Sequence, residues 1–185
     1  GRAGKRGTRI RELLNEGGFP LEVHLSQDVG NLEEQVRDCV EHGGRRIVAV
    51  GGDGSVHEAT NGIMRARGDA MLGVIPSGTG NDFAKAAGIT LDWEHATRLL
   101  TERIVAGERP RCVDVGKMND RYFANGAGVG FDARVTRIAR SYRLPIGDFV
   151  YLLAIFRGMA EGIETPYMRI STDNNVHTGP ITLAN

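Results

Sequence analysis

The chain has 185 residues, 41% of them hydrophobic and 25% charged, and its formal net charge is zero. That length holds one well-buried domain, or one domain with part of another, and the composition excludes disordered and fibrous classes. The neutral balance argues against a nucleic-acid binder that works through a large positive field.

Residues Ile10 to Leu14, Leu21 to Leu25, Leu32 to Val40 and Ile47 to Val50 read as helix, strand, helix, strand. That alternation predicts an α/β fold, a parallel sheet with crossover helices. Val36 and Val40 follow Leu32 at intervals of four, an apolar stripe at helical period, and Gly43-Gly44 supplies the stop. The short, continuous apolar run Ile47-Val48-Ala49-Val50 suits a strand covered by helices on both faces. A second copy follows: Val56 to Met64 as helix, Leu72 to Ile75 as strand, a Gly-rich turn, a short helix from about Asp82, and a helix from about Asp92 to Val105.

Around Arg109-Pro110-Arg111 the pattern becomes strand-rich. Cys112 to Val115 and Tyr122 to Ala124 flank the hairpin-like pair Asn119-Asp120, and Gly126, Gly128 and Gly130 follow. Tyr142 to Gly158 reads as helix, and Met168 to Ser171 and Ile181 to Ala184 as strands. The expected division is an α/β domain over residues 1–109 and an incomplete β-rich domain over 110–185.

The segment Val50-Gly51-Gly52-Asp53-Gly54-Ser55-Val56-His57-Glu58 stands where an apolar strand gives way to a helix. Free backbone N–H groups and the helix dipole favour an anion there, and residues without a Cβ let phosphate approach the main chain. A carboxylate in such a loop would repel phosphate unless a divalent cation or a water network lay between them, so Asp53 reads as a magnesium-linked or proton-handling group. The alternative is a tight glycine turn in which Asp53 caps a helix. The strand Leu72 to Ile75 then runs into Pro76-Ser77-Gly78-Thr79-Gly80-Asn81-Asp82-Phe83-Ala84, a second small-residue loop. Two such loops at the carboxyl edge of one sheet make a nucleotide-phosphate crevice. Thr79 and Asn81 offer hydroxyl and amide donors, and Asp82 suits either a cap or a charge network.

Spacing disposes of other chemistries. No G-x-x-x-x-G-K-[ST] is present, Gly126 to Gly130 lack the full dinucleotide fingerprint, and His57-Glu58 ends in Asn61 rather than a second histidine. A Gly-x-Ser-x-Gly elbow is absent too. Cys39 and Cys112 have no CxxC spacing and read as buried thiols in a reducing compartment. The longest apolar run, Phe149 to Phe156, is too short to span a bilayer, and no signal peptide precedes the first charged segment, so a cytoplasmic protein is expected. The opening Gly-Arg-Ala-Gly reads as the middle of a loop.

Gly51-Gly52-Asp53-Gly54-Ser55, followed at a matching distance by Pro76 to Ala84, resembles the catalytic domain of the diacylglycerol kinase family, related to sphingosine kinases and more distantly to NAD kinases. The likeness continues through Val113-Asp114-Val115-Gly116, Phe123-Ala124-Asn125 and Gly128 to Ala133. The resemblance implies a Rossmann-like N-terminal sheet, ATP as phosphoryl donor and Mg2+ as cofactor. It implies that Gly1 ends a phosphate loop, and that nucleotide contacts come from Ser26, from Gly52, Asp53, Gly54, Ser55, Val56, His57 and Glu58, and from Thr79. Gly51, Ser77, Gly78 and Asn81 complete the two loops. Asp114, by the same resemblance, joins Asp53 in an aspartate and water network around magnesium. Ser55 stands where the family often has Thr, and His57 where Asn is common. The family's later segment, with metal ligands and a glutamate that accepts the proton, would lie beyond Asn185, so no general base is named.

The expected function is an ATP-dependent lipid kinase, with diacylglycerol as acceptor and phosphatidic acid as product. Its acceptor comes from a membrane, so peripheral contact is needed. Leu144 through Phe156 has the apolar content for it, although a buried core helix is the commoner reading of such a stretch. An exposed edge strand left by truncation would offer a homodimer contact that the intact protein lacks. The competing readings are an NAD-kinase-like phosphotransferase on a soluble acceptor and a nucleotide-binding module without catalysis.

Overall fold

The apolar run at 47–50 forms strand β1 (Arg46–Gly51), which pairs in parallel with β2 (Met71–Pro76), Ile47 opposite Leu72 and Val50 opposite Ile75. The computed structural model describes residues 2–66, 68–142, 149–163, 165–171 and 175–184. Parallel neighbours need a crossover, and helix α3 (Asp53–Arg65) supplies it. Successive side chains of β1 point to opposite faces. Ile47 and Ala49 join Val36 and Val40 of α2 (Asn31–Glu41) and Ala59 of α3. Val48 and Val50 join Ile10 and Leu14 of α1 (Arg2–Asn15) and Trp93 and Leu100 of α5 (Trp93–Val105), with Ile75 between them. Both faces of the sheet are therefore covered, as expected. Each fully buried side chain of this kind, such as Ile75, contributes roughly 1.5–3 kcal/mol.

Local sequence fixes the helix ends and the closest helix contact. Asp92 caps α5, its side chain accepting from the Glu94 and His95 N–H groups at 3.0 and 3.3 Å. Gly43, at φ 96°, follows α2 in the left-handed conformation that ends helices. Gly62 lets α3 lie against α2, since a Cβ there would sit 2.6 Å from the Glu33 carbonyl oxygen and 2.8 Å from Val36 Cβ.

Two expected strands are not formed. Residues 21–25 pair with no strand among the described residues, and Val23 and Leu25 are exposed, while Leu21 still packs under α1. An apolar alternation becomes a strand only when a neighbour takes its backbone hydrogen bonds. Cys112 to Val115 is likewise unpaired. The hairpin begins further on, β3 (Gly116–Met118) against β4 (Arg121–Phe123), turning through Asn119 at φ 52° and Asp120. Cys112 is exposed and Cys39 half-buried, so neither is the buried thiol expected.

Contacts divide the chain into two compact units, Gly1–Asn125 and Gly126–Asn185, and the hairpin lies within the first. Asn61, fully buried on α3, holds it: its Nδ2 donates to the Tyr122 carbonyl at 2.9 Å and its Oδ1 accepts the Tyr122 N–H at 3.0 Å. Glu33 on α2 receives Arg65 at 3.0 Å and Arg121 at 2.7 Å.

The second unit joins a short antiparallel pair, β5 (Val129–Gly130) with β8 (Leu183–Ala184), a longer one, β6 (Tyr167–Ser171) with β7 (Val176–Pro180), and two helices. Helix α6 (Phe131–Ser141) and strand β7 were not foreseen. The helix expected over Tyr142 to Gly158 is α7 (Phe149–Ala160); the 143–148 part of that expectation lies outside the described residues, and Tyr142 follows the end of α6. α7 meets α6 through small residues, Ala154 and Gly158, where a Cβ on Gly158 would lie 3.2 Å from the Phe131 ring. Phe149, Phe156 and Met159 are exposed, so the buried-core reading fails for these large side chains.

Candidate functional site

The two glycine-rich loops emerge side by side because β1 and β2 are parallel neighbours whose last rung is Gly51 opposite Pro76. The ladder continues one bond further, the Ser77 N–H donating to the Gly51 carbonyl at 2.8 Å. Beyond it the loops touch through bare backbone. A Cβ on Gly52 would come within 3.0 Å of Gly78 Cα, and one on Gly78 would collide with Gly52 Cα. Only glycine fits at these two positions without moving the main chain.

Side chains hold the loops in place. Asn81 takes the left-handed conformation at φ 55° and folds back on its own loop, its Oδ1 accepting the Gly78 N–H at 3.0 Å and its Nδ2 donating to the Gly78 carbonyl at 3.1 Å. Its amide is thus committed to shaping the loop. Asp53, the first residue of α3, reaches across, and its Oδ1 accepts the Phe83 N–H at 3.1 Å, at the start of α4 (Asp82–Ala86). The capping alternative is realised on the neighbouring helix. Ser55 Oγ lies against Gly51, another contact that a Cβ would block.

Gly80 leaves space between two carboxylates. The position of a Cβ there would be 2.8 Å from Asp53 Oδ2 and 3.5 Å from Asp82 Oδ2, while the other oxygen of Asp82 accepts from Lys85 Nζ at 3.1 Å. Mg2+ is commonly bound by one or two carboxylates together with phosphate oxygens and water. The Asp53 and Asp82 oxygens beside Gly80 fit that donor set, and no cluster of three or more acidic, His or Cys ligands occurs among the described residues. Asp114 is exposed and makes no hydrogen bond or ion pair among the described residues.

The remaining expected residues divide clearly. Gly54 and Thr79 are exposed at the loops, and Val56 is buried in the core. His57 Nε2 lies 3.1 Å from Arg121 Nη2, which ties it to the hairpin. Glu58 has one carboxylate oxygen, Oε2, buried without a hydrogen-bond partner, an expensive arrangement unless a ligand donates to it. Ser26 is exposed and donates to the Asp28 carbonyl at 3.1 Å; nothing bonds it to either loop.

Sequence reasoning missed Arg6. Its guanidinium stacks over the Trp93 ring, 5.1 Å from the centroid, and Nη1 is 3.5 Å from Ser77 Oγ, which is buried. The signal was helical spacing: Arg6, Ile10 and Leu14 lie four apart, so Arg6 continues the stripe that α1 turns toward the sheet.

With this geometry established, the model of the diacylglycerol kinase catalytic domain matches residues 1–118, which contain both loops. The chain belongs to the diacylglycerol kinase catalytic-domain family. A protein named "Probable lipid kinase YegS-like" from Pseudomonas aeruginosa is 35% identical over 139 residues, 75% of this chain and 44% of that protein. A diacylglycerol kinase of Staphylococcus saprophyticus is 32% identical over 176 residues, 92% of this chain and 54% of that one. A crystal structure of a diacylglycerol kinase from Bacillus anthracis str. Sterne superposes with a TM-score of 0.69 at 25% identity, over 97% of this chain and 57% of that one. The chain spans about half the length of the relatives it matches. The family's α/β fold is therefore shared along nearly the whole chain.

Proposed function

We propose that this chain is the nucleotide-binding part of an ATP-dependent lipid kinase that phosphorylates a lipid hydroxyl, with diacylglycerol the expected acceptor and phosphatidic acid the product. The observation that carries this reading is the backbone contact of Gly52 with Gly78, which joins two phosphate-type loops at one sheet edge. The polyphosphate would lie along Gly51 to Ser55 and Ser77 to Asn81, where small residues leave main-chain N–H groups accessible. Glu58 Oε2, buried and unpartnered, would accept a hydrogen bond from the nucleoside. Asp53 and Asp82 would hold magnesium beside Gly80, with Asp114 acting only through water; when bound, the ion supplies charge neutralisation on the phosphoryl oxygens.

In the reaction the lipid oxygen bonds to the γ-phosphorus as the bond from that phosphorus to the β,γ-bridging oxygen breaks, and ADP leaves. The hydroxyl proton passes to a general base, a role given to none of the loop residues. This chain's residues contribute by positioning the phosphates and by fixed electrostatics, which account for most of the catalysis in phosphoryl transfer. The exposed Phe149, Phe156 and Met159 of α7 support a peripheral membrane contact.

The test has two parts. Titration of the 185-residue chain with ATP by calorimetry should show binding. The full-length protein, given labelled ATP and vesicles containing diacylglycerol, should transfer label to lipid in preference to sphingosine, phosphatidylglycerol or NAD. Binding without transfer to any acceptor would replace the kinase with a nucleotide-binding module, and transfer to NAD alone would make it a phosphotransferase for a soluble acceptor.

A further inference from the structure

A loop that holds a polyphosphate next to two carboxylates needs positive charge to offset the repulsion between them. The cations near the paired loops are mostly spent. Lys85 is paired with Asp82, Arg65 and Arg121 share Glu33, and Arg9 is paired with Glu12 and Glu94. Arg6 differs. No carboxylate lies within ion-pair distance of it among the described residues, and its two recorded partners are the Trp93 ring and the Ser77 hydroxyl.

That placement suits an anion. Ser77 is the residue whose N–H bonds to the Gly51 carbonyl, so Arg6 stands at the point where the two loops are joined. The half-buried guanidinium lies over an indole face, which steadies the planar group without using its in-plane N–H donors. Only Nη1 is engaged, at the long distance of 3.5 Å. A preformed, charge-unpaired fork beside a glycine loop is the arrangement that receives phosphate oxygens.

We propose that Arg6 is a phosphate-binding residue of the two-loop site, positioned by Trp93 and Ser77 to receive the polyphosphate of the nucleotide. The proposal rests on the ATP-binding reading above. Its ligand chemistry is the phosphate chain rather than the nucleoside, and inorganic tripolyphosphate separates the two. Calorimetric titrations of the 185-residue chain and of Arg6→Gln with ATP and with tripolyphosphate should show both ligands weakened by the same factor, about 10- to 100-fold. Arg6→Lys, which keeps the charge but not the fork, should recover part of the loss for both, and the salt dependence of ATP binding should be shallower in Arg6→Gln than in the parent.

Unchanged ATP affinity in Arg6→Gln would overturn the assignment, as would a loss for ATP with none for tripolyphosphate. If Arg6→Gln is too unstable to titrate, Arg6→Lys decides alone: affinity for both ligands equal to the parent's overturns the proposal, and a shared loss supports it. A parent chain that binds no ATP would instead sink the nucleotide-binding reading itself, and the Arg6 proposal with it.

Discussion

The loop edge of the first unit and helix α7 of the second are both candidate contact surfaces, yet they are built in opposite ways. At the loop edge directional bonds hold the main chain: the Asn81 side chain to Gly78, the Asp53 side chain to the Phe83 N–H, and the Ser77 N–H to the Gly51 carbonyl. On α7 Ala154 and Gly158 are buried, while Phe149, Phe156 and Met159 are exposed. The difference follows from what each would contact. A phosphate chain is recognised by groups fixed in advance, so the loops are held rigidly from several directions. An apolar surface has no directional requirement, and a helix can present it with almost no supporting bonds.

The largest effect that would break this contrast is at Gly78. Gly78→Val must push Gly52 and Gly78 apart, and overpacking of this kind costs roughly 1–3 kcal/mol. A loop displacement of even about 1 Å should weaken ATP binding on the order of 100-fold, as calorimetry would show. Retained affinity would mean that the loop edge is as tolerant as α7.

Next in size is Asn81. Asn81→Ala removes both hydrogen bonds to Gly78 and leaves a residue with a Cβ at positive φ, and a loss of about 2–3 kcal/mol in urea unfolding is expected. Asn81→Gly relieves the backbone strain but not the missing bonds. It should be intermediate in stability and as poor as Asn81→Ala in ATP affinity, which separates loop shape from backbone strain.

How much of this was legible beforehand depends on whether local pattern decides the structure. The β1 and β2 runs, the stripe of α2 and the start of α5 near Asp92 were readable because each is set by neighbours in sequence. The loops were readable as glycine-rich turns after strands. Their contact was not, because the meeting of Gly52 with Gly78 follows from the β1–β2 register. The strand expected at 21–25 failed for want of a pairing neighbour, which its alternation does not encode. Helix α6 escaped notice because Gly126, Gly128 and Gly130 just before it suggested continued turns, although Val135 and Ile138 keep helical spacing. Arg6 was hidden because its spacing from Ile10 marks only a helix face, while the partners that give it meaning, Trp93 and Ser77, come from distant parts of the sequence.

The smallest expected effect sharpens the contrast from the side of the second unit. Glu161 is held below the usual carboxylate range by hydrogen bonds from Arg157 and then Arg134, a link from the end of α7 to α6. A depressed folded-state value means that this link stabilises the protein above the unfolded carboxyl's range and is lost as pH falls through the folded value. The thermal midpoints of the parent and Glu161→Gln should therefore differ slightly near neutral pH and converge in acid. The groups are solvent-exposed, so the difference should also shrink in high salt.

The ring beneath Arg6 has a practical consequence, because Trp93 is the chain's only tryptophan. Indole emission responds to charged groups stacked on the ring, so all of the molecule's tryptophan fluorescence originates beside the joined loops. Ligand arrival there can be followed optically in this unlabelled chain by exciting the indole selectively, with no second tryptophan to dilute the signal from that ring.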